Sequence, residues 1–127
     1  MDNYILDASA LLALLNDEKG ADIVKEVLPQ SVISNVNLAE VVSRLSAIGM
    51  PEKDIREILS MFGLQAVTFD EEQAFGTGLL FAQGRITGLS LGDRACLTLA
   101  RLLDATVVTA DKAWADLSLG IKIKLIR

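Results

Sequence analysis

At 127 residues the chain has the size of one domain and can bury roughly two-thirds of its surface on folding, so it needs no disulfide or structural metal to hold together. One cysteine and no histidine exclude an intrachain disulfide, Ser-His-Asp and Cys-His catalysis, and the common zinc-water centres. A net charge of −5 and a pI near 4.6 argue against simple electrostatic binding of nucleic acid. The hydrophobic share of 51% and mean hydropathy of +0.41 are high for a soluble domain. No apolar run reaches the roughly 18 residues of a membrane span, and Met1 to Asp7 lacks the basic and long apolar regions of a signal peptide. A cytoplasmic, non-membrane protein is expected, its surplus apolar surface covered in a homodimer or by a partner.

Strand and helix signals alternate along the chain. Tyr4-Ile5-Leu6 is short and β-prone, and Asp7-Ala8-Ser9 opens a helix rich in leucine (Leu11, Leu12, Leu14, Leu15). Gly20 begins a second helix, with Ile23, Val24, Val27 and Leu28 at helical spacing, and Pro29 stops it. Ser31-Val32-Ile33 is the second strand. A helix from about Val36 to Ile48 follows, its stripe being Leu38, Val41, Val42, Leu45 and Ile48, and Gly49 ends it. Pro51 stands in the first turn of the next helix, which carries Ile55, Ile58, Leu59 and Phe62.

Leu64 to Phe69 is the third strand, and Asp70-Glu71-Glu72 opens a helix reaching about Gln83. Beyond the turn-rich stretch Gly84 to Gly92 lies a strong helix, Asp93 to Leu103, with Cys96 in its apolar run as a buried bystander. Thr106 to Thr109 is the fourth strand, Asp111 to Leu117 a short helical piece, and Ile121 to Leu125 alternates like an edge strand. Such β–α units predict a doubly wound α/β fold over residues 1–127: a mostly parallel sheet of about five strands with helices on both faces. Ligands of such sheets bind outside the carboxyl ends of the strands.

That rule draws attention to Asp7 and Asp111, each directly after a strand. Both also suit helix N-caps, where a carboxylate accepts from unpaired backbone N–H groups. Asp93 closes the capping-box pattern Ser90-Leu91-Gly92-Asp93. Glu40 falls roughly opposite its helix's apolar stripe with Arg44 four residues on, so an exposed ion pair accounts for it. Pattern alone leaves capping and catalysis both open.

Four stretches, Ile5-Leu6-Asp7-Ala8-Ser9-Ala10, Asn37-Leu38-Ala39-Glu40, Leu89-Ser90-Leu91-Gly92-Asp93-Arg94-Ala95-Cys96-Leu97 and Val108-Thr109-Ala110-Asp111, resemble in order and spacing the motifs of the PIN-domain family. They most resemble its VapC-type toxins from toxin–antitoxin systems. The resemblance implies a fold whose first, third and fourth strands, or the helices after them, gather the acids. Asp7, Glu40, Asp93 and Asp111 match the family's acidic positions, with Asp7 and Asp93 as the foremost Mg²⁺ or Mn²⁺ ligands. Ser9 and Thr109 match its supporting hydroxyls, and Asp116 falls where some members carry a further acid.

Carboxylates within about 6 Å repel by roughly 2–3 kcal/mol per pair at an effective dielectric near 20, so such a cluster holds protons or a cation. Oxygen-only ligands suit hard Mg²⁺ or Mn²⁺, and a cation would bridge an acidic protein to an anionic backbone. The implied activity is hydrolysis of RNA by metal-activated water. With no histidine to deprotonate a 2′-hydroxyl, 5′-phosphate and 3′-hydroxyl ends are expected. Arg85, Arg94 and Lys112 are the basic residues nearest in sequence for substrate binding. The resemblance also implies structured RNA such as tRNA as substrate, a homodimer, and a VapB-like antitoxin whose helical tail lies in an apolar groove. The first helix and those near Val41 and Ile58 are candidate groove walls. A PIN-like module that binds RNA or protein without cutting is an alternative. A receiver-type phosphoacceptor fits poorly, since no Lys follows the last strand as that chemistry requires.

Overall fold

The computed structural model describes residues 3–82 and 88–127. Among them five strands, β1 (Tyr4–Leu6), β2 (Ser31–Ser34), β3 (Gln65–Val67), β4 (Thr106–Thr109) and β5 (Ile123–Leu125), form one sheet. Their order is β3-β2-β1-β4-β5 and every pairing is parallel. Helices α1 (Ala8–Leu15), α2 (Ala21–Val27), α3 (Asn35–Ala47), α4 (Glu52–Ser60), α5 (Glu71–Leu80) and α6 (Leu91–Leu103) connect the strands, with short 3₁₀ turns at Leu28–Gln30 and Lys112–Asp116.

Parallel strands covered on both faces must be apolar on both, and Ile5, Leu6, Val107 and Val108 in the two central strands are fully buried. Alternation sends Ile5, Val32 and Val107 to one side, where they pack on Leu80 of α5, Cys96 and Leu97 of α6, and Trp114. Leu6 and Val108 face the other side, against α1 and α2. Ile33 joins Leu11, Val41, Leu45 and Ile55 from α1, α3 and α4. The chain winds from β1 outward to β3, then returns to β4 beside β1. The crevice at the carboxyl ends of β1 and β4 is therefore the switch point at which such sheets bind ligands.

Three expectations shift. Helix α6 starts at Leu91 rather than Asp93, with Ser90 at its N-cap as the capping-box pattern implies. Helix α5 ends at Leu80 with Phe81 as its C-cap, short of the expected end near Gln83, and Arg85 lies outside the described residues. The stripe expected on α3 is rotated: Asn37, Val41 and Leu45 are buried, whereas Ile48 is 76% exposed and Val42 36%. Helix α3 touches α6 as well as α1, which turns its buried line toward the switch point. Leu38 and Val42 are left along an open groove shared with α4.

Gly20 marks where the amino end of α2 meets the last strand. Its φ is +99°, and a Cβ there would lie 2.5 Å from the Ile126 carbonyl oxygen, so conformation and space both require glycine. Gly20→Ala is expected to lower the unfolding free energy by roughly 1–3 kcal/mol in urea denaturation; an unchanged midpoint would contradict this packing.

Candidate active site

Asp7 is the first residue beyond β1 and the N-cap of α1. Its Oδ1 accepts from Ala10 N–H at 2.9 Å and from the Ser9 hydroxyl at 2.7 Å, and its Oδ2 accepts from the Thr109 hydroxyl at 2.5 Å. Ser9 Oγ in turn accepts from Ala110 N–H at 2.9 Å, and Thr109 Oγ1 from Asp111 N–H at 3.0 Å. Two hydroxyls thus tie the ends of β1 and β4 together through one carboxylate. The side chain is only 5% exposed. Burial lifts its pKa above the ordinary 3.8 despite three hydrogen bonds that favour the charged form, and the nearby negative charge of Asp93 adds to the rise.

The other acids sit on neighbouring elements. Asp111 caps the 3₁₀ turn Lys112–Asp116, with Oδ1 accepting from Ala113 N–H at 3.0 Å. Asp93 completes a capping box at the start of α6: its N–H donates to Ser90 Oγ at 3.1 Å and its Oδ2 accepts from Ser90 N–H at 3.0 Å. Glu40, on the second strand's helix α3, accepts from Asn37 Nδ2 at 2.8 Å through Oε1. The exposed Glu40–Arg44 pair expected from spacing is thus replaced by a half-buried carboxylate held one turn back. Each cap or clamp occupies one oxygen, leaving Asp93 Oδ1, Asp111 Oδ2 and Glu40 Oε2 without a hydrogen-bond partner among the described residues.

All four acids, with Ser9, line one cleft of about 300 Å³. Cys96 is fully buried and feels the charge of three of them. Burial first, then the charges of Asp7, Asp93 and Glu40, push its thiol pKa well up. A larger apolar groove of about 780 Å³ between α1, α3 and α4 contains none of the four acids. Size does not make it the chemical site, since it lacks the convergent charged groups that catalysis at this cleft would use.

The remaining candidates separate. Thr109 joins the carboxylates through its bond to Asp7. Asp116 is exposed on the 3₁₀ turn, outside the cleft lining. Lys112 is exposed and outside it too. Arg94 turns away: its Nη1 donates to Thr77 O at 3.0 Å and its guanidinium lies 5.1 Å from the Phe81 ring centroid. The cations that do line the cleft are Arg44 and Arg127, the latter bonded to Glu18 Oε1 at 2.9 Å and Lys19 O at 3.0 Å. That bond, with help from Asn16, lowers the pKa of Glu18. Asn37, also in the lining, was legible only as a motif neighbour of Glu40; Arg127 has no local sequence signal.

The donor set fits a hard divalent cation. Every ionised donor is a carboxylate oxygen, three have one oxygen uncommitted, and buried Asn37 Oδ1 in the same lining has no partner. Among the described residues no three acidic or thiol side chains stand close enough together to hold an ion without moving. Asp7 and Asp93, with Glu40 and Asp111, are the residues that would hold it.

The family model for the PIN domain matches residues 4–119. The chain belongs to the PIN-domain family. Within it, ribonuclease VapC42 of Mycobacterium tuberculosis is 31% identical over 77% of this chain and 82% of its own length. Two solved structures share the fold: a DNA-bound VapBC from Salmonella typhimurium (TM-score 0.79, 19% identity, 100% of each chain) and a toxin–antitoxin complex from Klebsiella pneumoniae (0.77, 20%, 98% of each chain).

The raised pKa of Asp7 has a sign that can be checked in the metal-free protein. The folded state holds that proton more tightly than the unfolded state. Asp7's contribution to stability is therefore full below 3.8 and falls as pH rises through its raised value. In EDTA, Asp7→Asn is expected to match or exceed the wild-type thermal midpoint at pH 7, with the advantage shrinking as pH approaches about 4. A deficit of equal size at both pH values would contradict this.

Proposed function

We propose that this protein is a divalent-cation-dependent endoribonuclease acting in the cytoplasm, the toxin half of a toxin–antitoxin pair, with Asp7, Glu40, Asp93 and Asp111 as its catalytic carboxylates. The observation that carries the reading is that all four line one cleft at the switch point, with Asp93 and Asp111 each giving one oxygen to a backbone cap and keeping the other. Family membership and the ribonuclease relative support the activity.

A bound Mg²⁺ or Mn²⁺ would lower the pKa of a water and offset charge on the phosphoryl oxygens. The chain's own part is placement. Ser9 and Thr109 hold the Asp7 carboxylate in place beside the cleft. Arg44 and Arg127 give the cleft wall two guanidiniums for the phosphates beside the scissile bond, in place of Arg94 and Lys112. A cleft this small favours a single strand or an unpaired loop over a duplex.

The apolar groove, lined by Leu11, Leu38, Val42, Ile55, Leu59 and Phe62 among others, has the character of a seat for an amphipathic antitoxin helix. The toxin–antitoxin complexes among the structural neighbours support that assignment. Phe75 and Leu79 on α5, 66% and 62% exposed, supply an apolar face for a homodimer.

The test uses the purified chain and a single-stranded RNA oligonucleotide. Cleavage is expected with Mg²⁺ or Mn²⁺ and none with EDTA, Asp7→Asn being slower by about 100-fold or more. Products should carry 5′-phosphate and 3′-hydroxyl ends. Cleavage that survives EDTA, or fresh 2′,3′-cyclic phosphate ends, would overturn the reading.

A further inference from the structure

Of the four carboxylates read as catalytic, Glu40 alone accepts no backbone N–H at a helix start among the described residues, so something else must hold it. We propose that Gly92 and Asn37 form a seat for the Glu40 carboxylate, and that the absence of a side chain at position 92 is a requirement of cation binding. The inference rests on the cation-dependent reading above and names two positioning residues for that site.

Gly92 lies in the first turn of α6 and is buried. A Cβ there would overlap Glu40 Oε1, lie 2.6 Å from its Cδ and 3.0 Å from Oε2. The carboxylate therefore rests flat against the helix backbone where any other residue would carry its side chain. The backbone of α6 gives no reason for glycine, because the residue is helical with no positive φ. Glycine in a helix is otherwise a poor choice beside alanine. What glycine supplies at this position is room for Glu40.

Asn37 closes the seat from the other side. It is 1% exposed, and its Nδ2 donates to Glu40 Oε1 at 2.8 Å and to Gly92 O at 3.0 Å. Both neighbours are acceptors, which fixes the orientation of the amide. Its Oδ1 is buried without a partner. Its hydrogen bonds among the described residues both run from the donor end. That end ties Glu40 on α3 to the residue just before Asp93 on α6, and so sets the spacing of two carboxylates carried by separate helices.

The atom that must give way to an alanine at 92 is the flexible tip of Glu40, not backbone. Gly92→Ala should therefore fold, with a thermal midpoint in EDTA at or above wild type. Mn²⁺ binding by the full chain, followed by electron paramagnetic resonance, should weaken about tenfold or more. On an RNA oligonucleotide kcat should fall while KM changes little. In a Glu40→Asp background the shorter side chain no longer meets the new Cβ, so adding Gly92→Ala should change the Mn²⁺ Kd by less than about twofold. Asn37→Ala adds no atom and carries the same test should Gly92→Ala fail to fold; it too should weaken Mn²⁺ binding about tenfold.

If wild type binds Mn²⁺ and Asp7→Asn does not, while folded Gly92→Ala and Asn37→Ala bind within about twofold of wild type, the seat falls and the nuclease reading stands. If wild type itself binds no Mn²⁺, both fall together.

Discussion

The carboxylate of Asp7 is buried where the two halves of the sheet part, and three donors converge on it: Ala10 N–H, the Ser9 hydroxyl and the Thr109 hydroxyl. Removing an acid from water raises the cost of its charge, and the structure offsets that cost only in part, since the pKa still rises. The same bonds start α1, tie β1 to β4 and fix where Asp111 leaves the sheet. Fold and site are thus joined through one side chain. A group held under electrostatic stress at a functional cleft is a known use of marginal stability.

Capping and catalysis looked like competing explanations for these acids, and the geometry shows that capping leaves room for both. A carboxylate has two oxygens, and a helix N-terminus needs one. Asp93 and Asp111 satisfy backbone N–H groups through one oxygen and keep the other available. The caps also restrict the rotamers of both side chains. This is the economy of placing acids at the starts of helices beyond parallel strands.

Most of the architecture was legible in the sequence because its signals are local. Short apolar runs gave the strands, Pro29, Gly49 and Pro51 marked the helix limits, and Asp7 and Asp111 announced themselves by following strands. What the pattern misread was rotational. The apolar stripe of α3 suggested one buried face, yet contact with α6 turns Asn37 inward and leaves Ile48 to solvent. Glu40 looked exposed for the same reason. Arg94 was attractive because it adjoins Asp93, but neighbours on a helix point about 100° apart, and its guanidinium goes to α5. Arg127 reaches the cleft from the far end of the chain, a contact across 109 residues that no local pattern carries.

A net charge of −5 is compatible with the proposed action on RNA. The acids lie in the cleft with two arginines in its wall, so attraction for an anionic strand depends on a cation placed among them. The most direct measurement of that claim is a crystal structure grown with Mn²⁺ and located by its anomalous signal. The account predicts the ion between Asp7 and Asp93, with the Ala10 and Ser90 cap bonds intact. Density elsewhere, or coordination reached only by breaking those caps, would contradict it.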